Sequence, residues 1–459
     1  MKSLTASNGN TYPKVLIICI IFCLVLIESC SKDPVNLENK MAEDYNPDFL
    51  LSYYNHLCTI VKTTPGFFPP QASRAYGYIG IAAYESIING IDGGQSLQNQ
   101  LNEFSSYKLP QPIDGEKYNW AIASNAAVSK MMKYMFDKNL TSATRFTIDS
   151  LETVFHKQLS DKVDLSTSER SRLFGQKISD VIYEYSKTDG GHESYLEPFQ
   201  LPYSIPTDAY CWVPTSSLQT PLCPKWGKNR SFLKNNVLLT QAGPHVPYSE
   251  SKTSEFYNQA LATYNQVKNN TSEEVEIAMY WSDDPFNTCT PTGHTFNILA
   301  QILKEENATL AKTTVGLAKM SIAENDAFIA CWKGKYDYVL LRPITYIQKH
   351  IDPSFTTLLG TPPFPTYTSG HSCEMGAGSR ILTSLFTNGS GNYLFTDYSQ
   401  LQYGFFARSY SNFDKMADEC ANSRLYGGIH FPMDNSKGLQ VGKAIGDNVN
   451  KDIKWPSVN

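Results

Sequence analysis

A chain of 459 residues with 41% hydrophobic and 18% charged side chains has a globular composition able to bury a sizeable core, which excludes a disordered or fibrous chain. Its formal net charge of -5 excludes a basic field for nucleic acid, so positive charge can matter only locally.

Residues 1–14 are polar and carry Lys2 and Lys14, and Val15 to Ile27 is an unbroken apolar run. That run is short for a membrane span but suits the core of a secretory signal. It ends in Ile27-Glu-Ser-Cys30 followed by Ser31-Lys-Asp-Pro, which resembles a bacterial lipoprotein signal. The resemblance implies that residues 1–29 are removed, that Cys30 is lipidated, and that residues 30–46 form a polar linker. The protein would then be exported and lipid-anchored at the outer membrane, facing the periplasm or the cell surface. Three of the 10 cysteines (Cys19, Cys23, Cys30) belong to this leader. The others show no zinc-type spacing; Cys211 with Cys223 is a plausible loop-closing bridge in an oxidising compartment, while Cys331 and Cys373 read as buried apolar thiols.

Residues 47–187 read as helix, with apolar positions spaced three and four apart in Asn119 to Phe136, Ser142 to Leu159 and Ser166 to Ser186, and a small-residue pattern in Arg74 to Gly90. From about Thr188 to Pro247 the pattern breaks into Gly, Pro, Tyr and Trp, a long connection that reads either as a lid or channel wall or as an ordered surface excursion. Helical signals resume near Thr253 and run through Leu303 and from Ala308 to Trp332. No fixed-period repeat and few convincing strands are present, so the expected fold is an all-α helical bundle, a single domain over 47–455 with its functional part in 253–455.

Three blocks stand out in the last third: Lys335-Tyr-Asp-Tyr-Val-Leu-Leu-Arg342-Pro343, Pro365-Thr-Tyr-Thr-Ser369-Gly370-His371-Ser372, and Ser423-Arg424-Leu-Tyr-Gly-Gly-Ile-His430-Phe-Pro-Met-Asp434. Lys335, Arg342 and Arg424 supply the charge for a phosphate-like oxyanion, and burying them uncompensated would be costly. If the first block is one helix, Lys335 and Arg342 share a face two turns apart. Ser369-Gly370 precedes a helical pattern carrying Met375, Ile381, Leu382, Leu385 and Phe386, so free amides and a close-approaching glycine would meet the anion with His371 at its edge. Asp434 can hold His430 Nδ1 and direct Nε2 at the anion's centre, and Pro432 suits the first position of the last helix.

These blocks resemble the signature of the vanadium-dependent haloperoxidases and the related type-2 phosphatidic acid phosphatases. Upstream, Ala330-Cys-Trp332-Lys-Gly-Lys335 and Tyr280-Trp281-Ser-Asp-Asp284 resemble family segments as well, whereas Thr368 and Leu341 depart from the pattern at positions that supply no ligand. The resemblance implies a large helical bundle in which His430 binds the vanadium of vanadate or attacks phosphorus. His371 would be the acid/base, and Lys335, Arg342, Ser369, Gly370 and Arg424 would hold the equatorial oxygens. Asp284, or else Asp283, would pair with Arg424.

Two enzymes fit one pocket: a haloperoxidase using hydrogen peroxide and halide with vanadate as cofactor and phosphate as competing anion, or an acid phosphatase acting on a phosphomonoester. Three features favour the first. No run of 18 apolar residues follows the leader, the helical stretch upstream is long, and Phe364 resembles the aromatic residue on the halide side of the family's site. A divalent metal is not expected among so many cations. A non-catalytic ligand-binding lipoprotein is the third reading, against which the two intact histidines speak. As lone histidines, His56, His156, His192, His245, His294 and His350 are read as structural by default, with His245 and His294 as marginal candidates for the site.

Overall fold

A computed structural model describes residues 40–200 and 202–458; the leader and Cys30 lie outside the described residues. The first half folds as α1 (Asp48–Thr63), α2 (Pro69–Ile87), α3 (Trp120–Phe136), α4 (Ser142–Ser160) and α5 (Leu165–Ser186). After a long connection come α6 (Glu255–Asn269), α7 (Ser272–Tyr280), α8 (Thr290–Glu305) and α9 (Leu310–Tyr338). The chain closes with α10 (Pro343–His350), α11 (Gly370–Phe386), α12 (Phe413–Tyr426) and α13 (Pro432–Asp452). A small antiparallel ribbon, β1 (Phe395–Asp397) on β2 (Arg408–Tyr410), precedes α12. The all-α expectation therefore holds. No helix among the described residues is long and apolar enough to cross a membrane.

Local chemistry sets the helix starts. Asn119, Thr141, Asp164, Thr309 and Ser369 each accept a first-turn amide at the N-cap, and Thr271 with Glu274 forms a capping box. The helix expected from Arg74 begins earlier, at Pro69, whose fixed φ suits a first turn, and it tightens into a 3-10 turn at Ile88–Gly90. Among its described residues the connection from 188 to 247 is irregular apart from short helical turns at Trp226–Lys228 and Asn236–Leu239 and a bridge at Cys211. Packing begins ahead of α1: Ala42 is buried, and Leu310 N donates to the Tyr45 carbonyl.

Helix α9 is buried along most of its length and packs on α2, α11 and α13. Helices α11 and α13 approach so closely that a Cβ on Gly442 would collide with the Cys373 carbonyl, and one on Gly438 would press on Ser372 and the Ser369 carbonyl. This glycine-faced contact locks the start of α11, with Ser369 and His371, against the start of α13, with Asp434.

Two expectations are corrected. Cys211 and Cys223 are both free and buried, because Cys211 is drawn into a backbone bridge with Leu340 while Cys223 turns into the core beside Gln71 Nε2. The bridge is instead Cys58–Cys289, tying α1 to the cap of α8 across 231 residues. Second, Lys335 and Arg342 do not share a helix. Val339 takes a left-handed φ of 49° and ends α9, after which Arg342 is the N-cap of α10 ahead of Pro343.

Candidate active site

The break after Val339 folds Arg342 back beneath the Pro365–Ser369 turn, so the three blocks meet. Lys335 Nζ, fully buried, donates to the carbonyls of Pro365 (3.0 Å), Thr366 (3.0 Å) and Thr368 (2.6 Å). Burial draws its pKa down to about 8. Arg342 donates through Nε to the Phe364 carbonyl at 3.0 Å and through Nη1 to the Ile429 carbonyl at 2.9 Å, while its buried Nη2 has no partner. Burial lowers this guanidinium to about 9, Asp434 opposing and nearby Arg424 reinforcing the fall. The Phe364 ring covers both cations, 5.0 Å from Lys335 Nζ and 5.0 Å from Arg342 Cζ.

The third block adds Arg424 near the end of α12 and His430 just before α13. Arg424 donates through Nη1 to the Trp281 carbonyl and leaves its buried Nε unpartnered. His430 Nδ1 lies 3.0 Å from Asp434 Oδ2 and 3.0 Å from Thr366 Oγ1, and Asp434 Oδ2 also accepts from Phe431 N. Burial pushes Asp434 up to about 6, against the donors that favour its charge. His430 is driven well below the usual histidine range by burial first and then by Arg342, Lys335 and Arg424. His371 is lowered likewise by burial and Arg424; a hydrogen bond to the Ser282 backbone opposes the fall, and its buried Nε2 has no partner. Both rings are therefore neutral, the state in which an imidazole nitrogen can accept a proton or donate a lone pair.

Ser369 caps α11, accepting from Ser372 N at 3.4 Å and Ser372 Oγ at 2.9 Å, which leaves its own O–H to donate. Gly370 opens that helix against the Trp332 ring. A narrow recess of about 40 Å³ is lined by Trp332, Phe364, Gly370, His371, Arg424 and His430. It adjoins an outer cavity of about 390 Å³ walled by Phe68, Leu218, Leu222, Phe286, Pro362 and Phe364 and sharing His371 and Arg424. Part of the long connection thus forms the wall of this entrance.

Asp284 does not form the expected ion pair with Arg424. It lines the outer cavity, raised by burial and touched by Arg424 only through the field. Asp283 is turned away by its left-handed φ of 45° and pairs with His294 instead. Sequence reasoning missed two residues. Thr366 lay inside the second block, one residue from Pro365, yet a threonine there carries no signal of its own. His294 is a lone histidine in the sequence and only a marginal candidate there, and its partner Asp397 lies 103 residues away, beyond the reach of any spacing rule.

The pocket suits a tetrahedral oxyanion: buried Arg342 Nη2, Arg424 Nε and His371 Nε2 are left over as polar atoms, beside helix-start amides at Gly370 and His371. A helical bundle with a cation-lined recess and two neutral histidines defines an oxyanion-site protein. The comparisons narrow this class. Residues 316–455 match the family model described as the VCPO second helical-bundle domain. The chain is 25% identical over 417 residues to vanadium chloroperoxidase of Curvularia inaequalis, covering 76% of this chain and 68% of that protein. It is 31% identical to a bacterial vanadium-dependent iodoperoxidase of known structure, with a TM-score of 0.80 over 90% of this chain and 98% of that one. A bacterial vanadium-dependent chloroperoxidase shares the fold at 14% identity, with a TM-score of 0.63 over 86% of this chain and 93% of that one. The chain belongs to the vanadium-dependent haloperoxidase family.

Proposed function

We propose that the protein is a vanadate-dependent haloperoxidase that oxidises halide with hydrogen peroxide, with His430 as the ligand of vanadium. The observation that carries the reading is the pair of unpaired buried cationic donors, Arg342 Nη2 and Arg424 Nε, around a recess that the two neutral histidines, His371 and His430, also line. Uncompensated cations of this kind cost several kcal/mol each and are offset by a bound anion. Vanadate bound there would supply a Lewis-acidic centre that activates peroxide without a change of oxidation state.

The chain's own residues divide the remaining work. Asp434 and Thr366 fix the orientation of His430 and keep Nδ1 engaged, so its lone pair at Nε2 is available to the anion. Arg342 and Arg424 bind and orient the anion's oxygens, with Ser369 and the Gly370 amide at the helix start. Lys335 holds the Pro365–Thr368 turn in place and adds its charge to the field. His371, neutral and with Nε2 free, takes a proton from peroxide and returns it. Phe364 and Trp332 keep water from the cationic side of the recess. The iodoperoxidase relative supports iodide as the first halide to assay. Export through the leader and lipidation of Cys30 at the outer membrane belong to the same proposal; labelled palmitate incorporated into the full chain and absent from Cys30→Ala tests them.

Incubation of anion-free protein with orthovanadate is expected to bring peroxide-dependent halide oxidation that inorganic phosphate suppresses. If vanadate only inhibits release of phosphate from a monoester, the pocket is that of a phosphatase acting through a phosphohistidine at His430.

A further inference from the structure

The proposed chemistry leaves unused a buried charged cluster behind the recess. His294, on α8 and 1% exposed, has Nδ1 3.0 Å from Asp283 Oδ2 and Nε2 2.9 Å from Asp397 Oδ2. The Tyr280 hydroxyl donates to the same Asp397 oxygen at 2.7 Å. Gln400 Nε2 lies 2.7 Å from Nδ1 and donates to Asp283 Oδ1 at 3.0 Å. A carboxylate oxygen at each ring nitrogen favours the imidazolium, whose N–H groups then point at Asp283 and Asp397 while the Gln400 amide donates to Asp283 Oδ1 rather than to the ring. Burial alone would lower its pKa, but Asp283 and Asp397 outweigh burial and hold it at about 10. Beyond them stands the buried carboxyl pair Glu374 on α11 and Glu324 on α9; burial pushes both up, Glu374 adding to the rise of Glu324 while the hydrogen bond with Glu324 opposes the rise of Glu374.

The face of this ring carries the site's backbone. Trp281 stacks on it with centroids 4.6 Å apart and planes inclined by 23°, a favourable arrangement for a cation over an indole. The Trp281 carbonyl accepts from Arg424 Nη1, and its Nε1 donates to Glu419 Oε1 at 3.0 Å, one turn earlier on the same helix. The next residue, Ser282, gives its backbone to His371. The segment that follows does not hold this shape by itself: Asp283, Phe286 and Thr290 sit at φ 45°, 69° and 68°, left-handed conformations that persist in non-glycine residues only where surrounding contacts offset their cost. The bridge from His294 to Asp283 is such a contact.

We propose that His294, held between Asp283 and Asp397, is a positioning residue that fixes the Trp281–Ser282 backbone and thereby orients Arg424 and His371 at the anion recess. The inference rests on the oxyanion-site reading above, and its test uses phosphate as well as vanadate, so that it can be judged even if halide is not oxidised. Calorimetry on the full chain is expected to show that His294→Gln weakens binding of orthovanadate and of inorganic phosphate about 10- to 100-fold, the usual loss when a ligand-orienting partner is removed. Turnover should fall while the KM for halide stays the same. In the unaltered protein, nitrogen-15 spectra of labelled histidine should show one ring protonated on both nitrogens from about pH 5 to 8, where an ordinary histidine titrates; a neutral ring at His294 contradicts the proposal. So does a His294→Gln protein with unaltered circular dichroism and unaltered anion affinity. Should that variant not fold, Asp397→Asn, which removes the charge of one arm, must weaken both anions in the same direction, and unchanged affinity there overturns the proposal equally.

Discussion

Replacing Arg342 with Met separates an anion ligand from a structural strut. In the anion-free protein the guanidinium is fully buried and its pKa is drawn well below the usual arginine range, to about 9, chiefly through burial. At 1.36 kcal/mol per unit this is roughly 4–5 kcal/mol of unfavourable charge burial. Against it stand two hydrogen bonds, to the Phe364 and Ile429 carbonyls, whose loss would cost about 1–3 kcal/mol each for acceptors left buried. The two effects nearly cancel, so anion-free Arg342→Met should melt close to the unaltered protein. Anion binding has no such compensation. The unpaired Nη2 is the donor left for the anion, and a hydrogen bond to a charged partner contributes about 1.5–3 kcal/mol, which converts to roughly a 10- to 150-fold loss of vanadate affinity. Thermal melting with and without orthovanadate, together with calorimetric titration, measures both quantities. A variant that melts far lower without anion yet binds vanadate as tightly as before would refute the reasoning and make Arg342 a strut between residues 364 and 429.

Other changes probe different parts of the account. His371→Ala should retain vanadate affinity while peroxide-dependent halide turnover drops about 10²- to 10⁴-fold, the range for loss of a general acid/base; steady-state kinetics beside calorimetry checks this. Gly442→Ala should destabilise the fold by about 1–3 kcal/mol in chemical denaturation, because a methyl there meets the Cys373 carbonyl in the α11–α13 contact. Glu85 is buried, and its pKa is raised from 4.5 to about 7 by burial, against donors from Leu97 N and Ser96 Oγ. The folded state holds that proton longer than the unfolded chain, so this contribution is fullest below 4.5 and is lost as pH rises through about 7. Glu85→Gln should flatten that decline in melting temperature measured across the same pH range.

What the sequence disclosed follows the physics of short range. Where a capping side chain sat beside a periodic apolar pattern, as at Ser369, the helix start was readable to the residue, and the pattern taken from Asn119 begins one residue later, at Trp120. Pro432 opens α13 as its fixed φ demands, and Asp434 reaches His430 because four residues across a helix start suffice. The errors share another origin. A β-branched valine in the left-handed region is locally unfavourable, so nothing in Lys335 to Arg342 foretold the break at Val339. Cys58 and Cys289, like His294 and Asp397, are joined only by the tertiary fold across long stretches of chain, and spacing rules that favoured Cys211 with Cys223 have no access to such pairs. Asp284 failed as the partner of Arg424 for a related reason: the left-handed turn at Asp283 sends the two neighbouring carboxylates to different places.

X-ray absorption at the vanadium edge of the reconstituted protein addresses the site most directly. A single nitrogen in the metal's first coordination shell, present in the unaltered protein and lost in His430→Ala while bulk fold is retained, is the expected result. A shell of oxygens alone in the unaltered protein, or a nitrogen that survives His430→Ala, would contradict it.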